Sequence, residues 1–191
     1  MAAIEATSRA GVYSFEGMTP KISGDVFIAP GAMIVGDVEI GPGSSVWFNV
    51  VIRADCAPVR IGARTNVQDC AVIHVDPDAP CTIGDDVTIG HSAIVHGTTV
   101  GDRVMIAMGA IILSRSIVES ESLIAAGAVV PEAAVVRAGT LVAGIPGKEK
   151  RELDDANRAR LRLGADHYAE YSQRFRASLQ PVMEEQPKHG D

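Results

Sequence analysis

Three histidines in the middle of the chain are the residues whose type and spacing best suggest chemistry. His74, His91 and His96 follow one another at intervals of 17 and five residues, and imidazole nitrogens bind zinc at about 2.0–2.1 Å. A single exposed histidine is normally only solvated, and we interpret His167 and His189 in that way. The central histidines therefore indicate a metal site only if the fold brings them together.

The apolar residues predict such a fold, because Ile, Val or Leu recurs every six residues over most of the chain. Neither an amphipathic helix nor an alternating strand has this period, whereas a β-solenoid with three short strands in each coil does. The predicted inward positions are Ile22, Ile28, Ile34, Ile40, Val46, Ile52, Ile61, Val67, Ile73, Ile83, Ile89, Val95, Val100, Ile106, Ile112, Ile117, Leu123, Val129, Val135 and Leu141.

The irregular steps in this pattern all fall at one corner of the prism. They are nine residues from Ile52 to Ile61, ten from Ile73 to Ile83, and five both from Val95 to Val100 and from Ile112 to Ile117. Insertions that gather at one edge of a repeat protein are typical of its functional surface.

The six-residue register also places two of the histidines side by side. The residue after each third-column site should point outward, since side chains alternate along a strand, and stacked strands lie about 4.8 Å apart. His74 and His96 are therefore predicted to be neighbours that can share one metal ion. The outward column reads Val35, Arg53, His74, His96, Leu113 and Val130.

His91 belongs to a different face, because it lies two residues after the second-column site Ile89. Five extended residues can separate it from His96 by about 16 Å. We therefore expect a second subunit to supply the third histidine, in a cyclic oligomer, a trimer, with the metal at the interface.

Composition limits the other classes of function. A net charge of −7 argues against nucleic-acid binding, which needs a basic surface. No apolar run approaches the roughly 20 residues that span a membrane, and no secretory signal is recognisable, so we expect a cytoplasmic protein without a membrane partner. Cys56, Cys70 and Cys81 form no metal-binding doublet, and we expect reduced thiols.

With these residues placed, the chain resembles the gamma-class carbonic anhydrases, a family of hexapeptide-repeat proteins that includes ferripyochelin-binding-like members. The similarity covers roughly residues 18–150, and its specific motifs lie in "NVVIRADCAPVRIGARTNVQDCAVIH" and "IGHSAIVHG", with further similarity in "MIAMGAIIL". The motifs are R-x-D, N-V-Q-D and the spaced histidine triplet.

The resemblance implies a left-handed parallel β-helix, a homotrimer, and hydration of carbon dioxide to bicarbonate. It implies a zinc ion, or iron(II) or cobalt in its place, held by His74 and His96 of one chain and His91 of the next. Arg53 and Asp55 would match the intersubunit ion pair. Gln68 would match the residue that hydrogen-bonds solvent or bicarbonate at the metal, and Asp69 its acidic neighbour.

Three features depart from the archetype of this family. Cys56 stands where fully active members carry a glutamate, and the loop after His74 is only "VDPDAP". Ser114 and Arg115 stand where relatives commonly have Asn or Asp followed by Gly. The first two departures affect the residues that would move a proton, and the third affects the wall of the pocket.

Two other functions fit the sequence. Acyl transfer or thioester hydrolysis is the first, because hexapeptide acyltransferases use a similar prism with coenzyme A and a catalytic histidine base. A noncatalytic metal-binding or assembly subunit is the second, and Cys56 with the short loop favours it.

The sequence divides into four segments. Residues 1–20 form an N-terminal arm with a short edge strand near residues 12–15, and residues 21–147 form the β-helix. Residues 148–180 form a C-terminal helical segment, as one amphipathic helix or two broken near Gly164. Residues 181–191 are predicted to form a flexible tail.

Overall fold

The computed structural model describes residues 11–181 and has the predicted architecture. The chain winds into a left-handed parallel β-helix of about seven coils, followed by one α-helix. Residues 1–10 of the predicted arm, and the predicted tail beyond residue 181, lie outside the described residues.

Residues 11–181 contain twenty strands and one helix. In chain order the strands β1 to β10 are Gly11–Tyr13, Lys21–Ile22, Phe27–Ile28, Met33–Ile40, Ser45–Val46, Val51–Ile61, Asn66–Val67, Val72–His74, Cys81–Ile83 and Thr88–Ile89. The strands β11 to β20 are Ile94–His96, Thr99–Val100, Met105–Ile106, Ile111–Ile112, Ile117–Val118, Leu123–Ile124, Val129–Val130, Val135–Val136, Thr140–Ala143 and Lys148–Glu152. Helix α1 is Asp155–Ser178.

The strands form the three faces of a prism. Face 1 contains β2, β9, β12, β15 and β18, together with the second halves of β4 and β6. Face 3 contains β1, β8, β11, β14 and β17, together with the first halves of β4 and β6. Face 2 contains β3, β5, β7, β10, β13, β16 and β19, and β20 adds to its edge as an antiparallel strand. The long strands β4 and β6 thus continue around the corner between faces 3 and 1.

Aliphatic side chains fill the interior, as the period of six predicts. Every predicted inward residue from Ile34 to Ile112 is buried, and Ile22 and Ile28 pack half-buried at the first coil. Each two-residue strand gives one such side chain to the interior, and the longer β4 and β6 give several. Burial of these residues is the main stabilising contribution.

The predicted register is wrong after Ile112, where it is one residue too early. Ile117 is 43% exposed, Val135 is 56% exposed and Val130 is buried rather than outward. The buried positions are Val118, Ile124, Val130, Val136 and Val142, so the step from Ile112 is six residues. Each strand here is an aliphatic pair such as Ile117–Val118, so hydrophobicity alone does not distinguish the two registers.

This corrected register can be tested by a matched pair of substitutions. Val118→Thr should destabilise the protein by about 1–3 kcal/mol, because it places a hydroxyl group in an aliphatic interior. Ile117→Thr should change the free energy of unfolding by less than about 0.5 kcal/mol, because its side chain is exposed. Guanidinium unfolding at one protein concentration measures both, and a larger effect of Ile117→Thr would restore the original register.

Helix α1 lies along face 2, against β3, β5, β7 and β10. Asp154 caps its start by accepting a hydrogen bond from the amide of Asn157 at 2.8 Å. The helix runs unbroken through Gly164, where an added Cβ would lie 3.3 Å from both Met105 Cε and Thr88 Oγ1. Glycine therefore serves close packing of the helix on the face and does not break the helix.

Two smaller features complete the fold. Strand β1 lies inside the predicted arm and pairs in parallel with β4, and β20 precedes the helix within the predicted helical segment. Within residues 11–181, no helix is both long enough and apolar enough to cross a membrane.

Candidate metal centre

His74 and His96 are neighbours at the ends of β8 and β11, as the register predicts. The two residues are paired in the parallel ladder of face 3, and their ring centroids are 4.9 Å apart. Nδ1 of His74 lies 2.9 Å from Nε2 of His96. Both side chains are mostly buried, at 20% and 28% exposure, so their rings are held within a partly shielded site.

Each ring also has a polar partner on its other nitrogen. Asp55 Oδ1 lies 3.1 Å from Nε2 of His74, and Ser114 Oγ lies 2.8 Å from Nδ1 of His96. Ser114 in turn donates its hydroxyl proton to Asp76 Oδ2 at 2.6 Å. The result is a continuous chain of polar contacts from Asp55 to Asp76.

This chain determines which ring nitrogens carry protons. An ionised carboxylate only accepts, so Nε2 of His74 must donate to Asp55. The single proton of Ser114 goes to Asp76, so Nδ1 of His96 must donate to Ser114. In two neutral rings, the facing nitrogens of His74 and His96 then present lone pairs to each other.

Two converging lone pairs fit a bound cation. Two nitrogens about 2.05 Å from a tetrahedral zinc lie about 3.3 Å apart, close to the observed 2.9 Å between Nδ1 of His74 and Nε2 of His96. A shift of a few tenths of an ångström would accommodate the ion. Hydrogen bonds from the second ring nitrogen to a polar partner are also typical of metal-binding histidines.

The carboxylates beside the histidines are stabilised in their ionised form. The pKa of Asp55 lies below its ordinary value because partial burial, which raises it, is outweighed by hydrogen bonds from its own amide and His74 and by the charge of Arg53. Arg53 forms an ion pair with Asp55. The hydrogen bond from Ser114 is the main cause that lowers the pKa of Asp76.

The remaining predicted residues lie together at a different corner. Asp69 and His91 stand on adjacent coils between faces 2 and 3, and Asp69 Oδ2 lies 2.7 Å from Nδ1 of His91. Gln68 is buried, and its Nε2 donates to Asn66 Oδ1 at 3.0 Å. Helix α1 packs against β7 and β10, the strands that lead into this corner, and burial followed by the negative charge of Asp69 raises the pKa of Tyr168 on that helix.

One chain therefore divides the predicted site between the two edges of face 3. Within residues 11–181, no three His, Cys, Asp or Glu side chains of a single chain are close enough together to hold a metal ion. His74 and His96 stand at the edge toward face 1, and His91 stands at the edge toward face 2.

Ser114 and Asp76 are the site residues that sequence reasoning missed. From the sequence, Ser114 is only a departure from the family pattern, and Asp76 is expected to be a solvated loop residue or a weak proton shuttle rather than a partner of His96. The signal was present: Ser114 follows Leu113, which is the next outward residue after His96, and Asp76 lies two residues after His74. Ser114 lies beside the outward column one coil after His96, and this position could have indicated a hydrogen-bond partner for that ring.

Cys56 contributes a neutral thiol to the edge of this site. Burial, followed by the negative charges of Asp55 and Asp76, raises its pKa, and its Sγ lies 3.5 Å from the carbonyl oxygen of Val75. It therefore cannot replace an ionised carboxylate at neutral pH.

Comparison with known proteins first defines the class. The family model "Bacterial transferase hexapeptide (six repeats)" matches residues 19–54, and "Hexapeptide repeat of succinyl-transferase" matches residues 80–114. The chain is thus a hexapeptide-repeat protein, in agreement with the coils described above.

The relatives then define the family. A carbonic anhydrase of Geobacillus kaustophilus is 42% identical over 169 residues, which cover 88% of this chain and 93% of the relative. The Arabidopsis thaliana protein named gamma carbonic anhydrase 2, mitochondrial, is 38% identical over 161 residues, covering 81% and 58% respectively. A Bacillus cereus structure, provisionally named an acetyltransferase, is 38% identical with a TM-score of 0.88, covering 89% and 99%. The chain belongs to the gamma-class carbonic anhydrase family.

Proposed function

We propose that this protein catalyses the reversible hydration of carbon dioxide to bicarbonate at a divalent cation held between subunits. His74 and His96 of one chain and His91 of a second copy would hold the cation, which we propose to be zinc, or iron(II) or cobalt. The observation that carries this proposal is the approach of Nδ1 of His74 to Nε2 of His96 at 2.9 Å, with Asp55 and Ser114 placed on the opposite nitrogens of the two rings.

The chemistry of the donor set suits hydration. A bound cation would lower the pKa of the water that it coordinates from about 15.7 to about 7, and this is the chemistry that it supplies. Neutral imidazoles leave the positive charge of the cation uncompensated. Asp55 holds the ring of His74, and Asp69 holds the ring of His91.

Gln68 is the residue that we propose to orient the substrate. Its Nε2 is engaged by Asn66, and this contact fixes the plane of the amide. Its Oε1 can then accept a hydrogen bond from solvent or bicarbonate at the subunit boundary.

The outward surface of face 3 supports assembly around the site. A ladder of apolar side chains, exposed or half-buried, runs down this face between the two groups of site residues, and consecutive members are paired in register. Covering such a ladder with a second copy would remove apolar area from water. Its members are Met33, Val51, Val72, Ile94, Ile111 and Val129.

The division of the site between two edges also favours a closed ring. A contact that joins the His91 edge of one copy to the His74 and His96 edge of the next is heterologous, and such contacts form a cyclic oligomer when the rotation between copies closes. We infer a homotrimer, the assembly that the family resemblance implies, with one cation completed at each junction. A cytoplasmic location and the lack of nucleic-acid binding stay predictions.

Mixed oligomers test this proposal directly. A His91→Ala chain and a His74→Ala/His96→Ala chain should each be inactive alone. Co-expressed with different tags and purified as randomly mixed trimers, they should recover about one quarter of wild-type hydration, since each mixed ring has one intact junction. The tags confirm that mixed trimers formed, and mixed trimers without any recovered activity would contradict a site shared between chains.

Acyl transfer from a coenzyme A thioester is the second candidate, because the Bacillus cereus structure of high similarity is provisionally named an acetyltransferase. Acetyl-CoA turnover measured with and without a chelator separates the two candidates, because a histidine-dependent transferase should be insensitive to the chelator. A noncatalytic metal-binding subunit, favoured by the neutral thiol of Cys56, would instead bind metal and turn over neither substrate.

A further inference from the structure

The short loop after His74 is in contact with the histidine pair through Ser114. Strand β8 ends at His74, and residues Asp76 and Ala79 form an isolated bridge that closes the loop. Asp76 accepts a hydrogen bond from Ser114 at 2.6 Å, and its carboxylate also lies 3.7 Å from Nδ1 of His96. Two features that depart from the family pattern, the loop and Ser114, are therefore in direct contact.

Gly97 lies where the loop, Ser114 and His96 approach one another most closely. Gly97 follows His96 with φ at +51°, and an added Cβ there would lie 2.9 Å from the carbonyl oxygen of Ala79 and 3.2 Å from Ser114 Oγ. The amide of Gly97 donates to the carbonyl oxygen of His74 at 2.9 Å. Glycine thus allows the loop and Ser114 to approach His96 closely.

The hydroxyl group of Ser114 lies between Nδ1 of His96 and the carboxylate of Asp76, and it has only one proton to donate. Because Asp76 can only accept, the hydroxyl proton of Ser114 points to Asp76, and the oxygen of Ser114 is left to accept from His96 Nδ1. Without Asp76, Ser114 could turn its proton toward His96 instead, and Nε2 of His96 would then carry the ring proton. The carboxylate thus decides the tautomer of a ring to which it makes no direct hydrogen bond.

We propose that Ser114 and Asp76 are positioning residues that together fix His96 in the Nδ1-protonated tautomer, with the Nε2 lone pair turned toward His74. This inference rests on the proposed function only in taking His96 as a metal ligand. Polar partners of ligating histidines typically contribute about 10- to 100-fold to metal affinity.

The same loop supplies a matched control for charge. Asp78 carries the same charge two residues after Asp76, but it faces Arg115, with an O–N distance of 3.4 Å. Its side chain is 70% exposed. Removing Asp78 therefore removes a nearby negative charge without affecting the contact between Ser114 and His96.

Zinc affinity, measured by competition with a chelator, tests the pair without measuring catalysis. Ser114→Ala and Asp76→Ala should each weaken zinc binding about 10- to 100-fold. The double variant should have the same zinc affinity as the single variant that binds zinc less tightly, because the two residues act through one hydrogen-bond chain. Ser114→Thr, which keeps the hydroxyl, should restore the affinity. Asp78→Ala should bind zinc within about twofold of wild type, because exposed ion pairs contribute little.

Nitrogen-15 spectra of the histidine rings give a second readout, in metal-free and zinc-loaded protein alike. At a pH of about 8.5, above the ordinary histidine pKa of about 6.5, His96 of the wild type should be protonated on Nδ1. In metal-free Ser114→Ala and Asp76→Ala it should shift toward protonation on Nε2.

The outcomes separate this inference from the proposed function. A wild-type protein that binds no divalent metal would refute the proposed function, while the ring spectra would still decide the tautomer. Wild-type zinc affinity in Ser114→Ala, or Nε2 protonation of His96 in the wild type, would overturn the positioning role. An equal loss of affinity in Asp78→Ala and Asp76→Ala would overturn it as well, because the effect would then be one of charge.

Discussion

His96→Ala is expected to lose both the bound cation and the hydration of carbon dioxide. The substitution removes one of the two lone pairs that converge between β8 and β11, so the two remaining imidazoles of the proposed site cannot hold the cation at ordinary concentrations. Without the cation, the pKa of water stays near 15.7, and the hydration rate should fall by about three orders of magnitude or more. Metal analysis and stopped-flow hydration on the same sample measure the two effects.

His167→Ala is the matched control for this substitution. It also removes one imidazole, but that ring stacks on Tyr171 of α1 at 5.4 Å between centroids, away from His96. We expect metal content and hydration rate to stay at the wild-type level. Retention of both by His96→Ala, with circular dichroism unchanged, would contradict the assignment of His96 as a ligand.

Trp47→Ala is expected to have the largest effect on stability. Trp47 is only 3% exposed and packs between face 2 and α1, with ring centroids 5.2 Å from Phe27 and 5.1 Å from Phe175. Its Nε1 also donates to Ser45 Oγ at 3.0 Å. Removing a buried indole of this kind typically costs about 3–5 kcal/mol, and we expect the helix to lose its main attachment.

Denaturant unfolding at constant protein concentration measures this loss, because oligomer stability depends on concentration. Leu163→Ala is the control, since that residue lies on the same helix with 66% of its surface exposed and should change the free energy of unfolding by less than about 0.5 kcal/mol. Protease cleavage within α1 should accelerate only in Trp47→Ala. Equal stability of the two variants would show that the aromatic cluster does not hold the helix.

Much of the fold could be predicted because the interior of the prism repeats. Each two-residue strand gives one aliphatic side chain to the narrow core, so the period of six is visible from Ile34 to Ile112, and the pairing of His74 with His96 follows from it. Before Ile112, strands with one polar member, such as Thr88–Ile89 and Thr99–Val100, fix the register, whereas every strand from β15 to β18 is an aliphatic pair such as Ile117–Val118. That is why the predicted register failed there.

The hydrogen bonds of the site could not be predicted in the same way. Ser114 and Asp76 are separated by 38 residues, and they meet only because the loop after His74 folds back toward the next coils. The closeness of Tyr168 to Asp69 depends on how α1 lies on face 2. Such contacts depend on three-dimensional packing that hydrophobic periodicity does not encode.

Stopped-flow hydration of carbon dioxide by anaerobically purified protein tests the central claim most directly. The protein is loaded in turn with zinc, cobalt and iron(II), and its metal content is determined on the same samples. We predict a rate that rises with bound metal to one equivalent per chain and disappears in His91→Ala, the variant that removes the ligand proposed to come from the adjacent subunit. Full metal occupancy without hydration under any of the three metals would contradict the proposed activity.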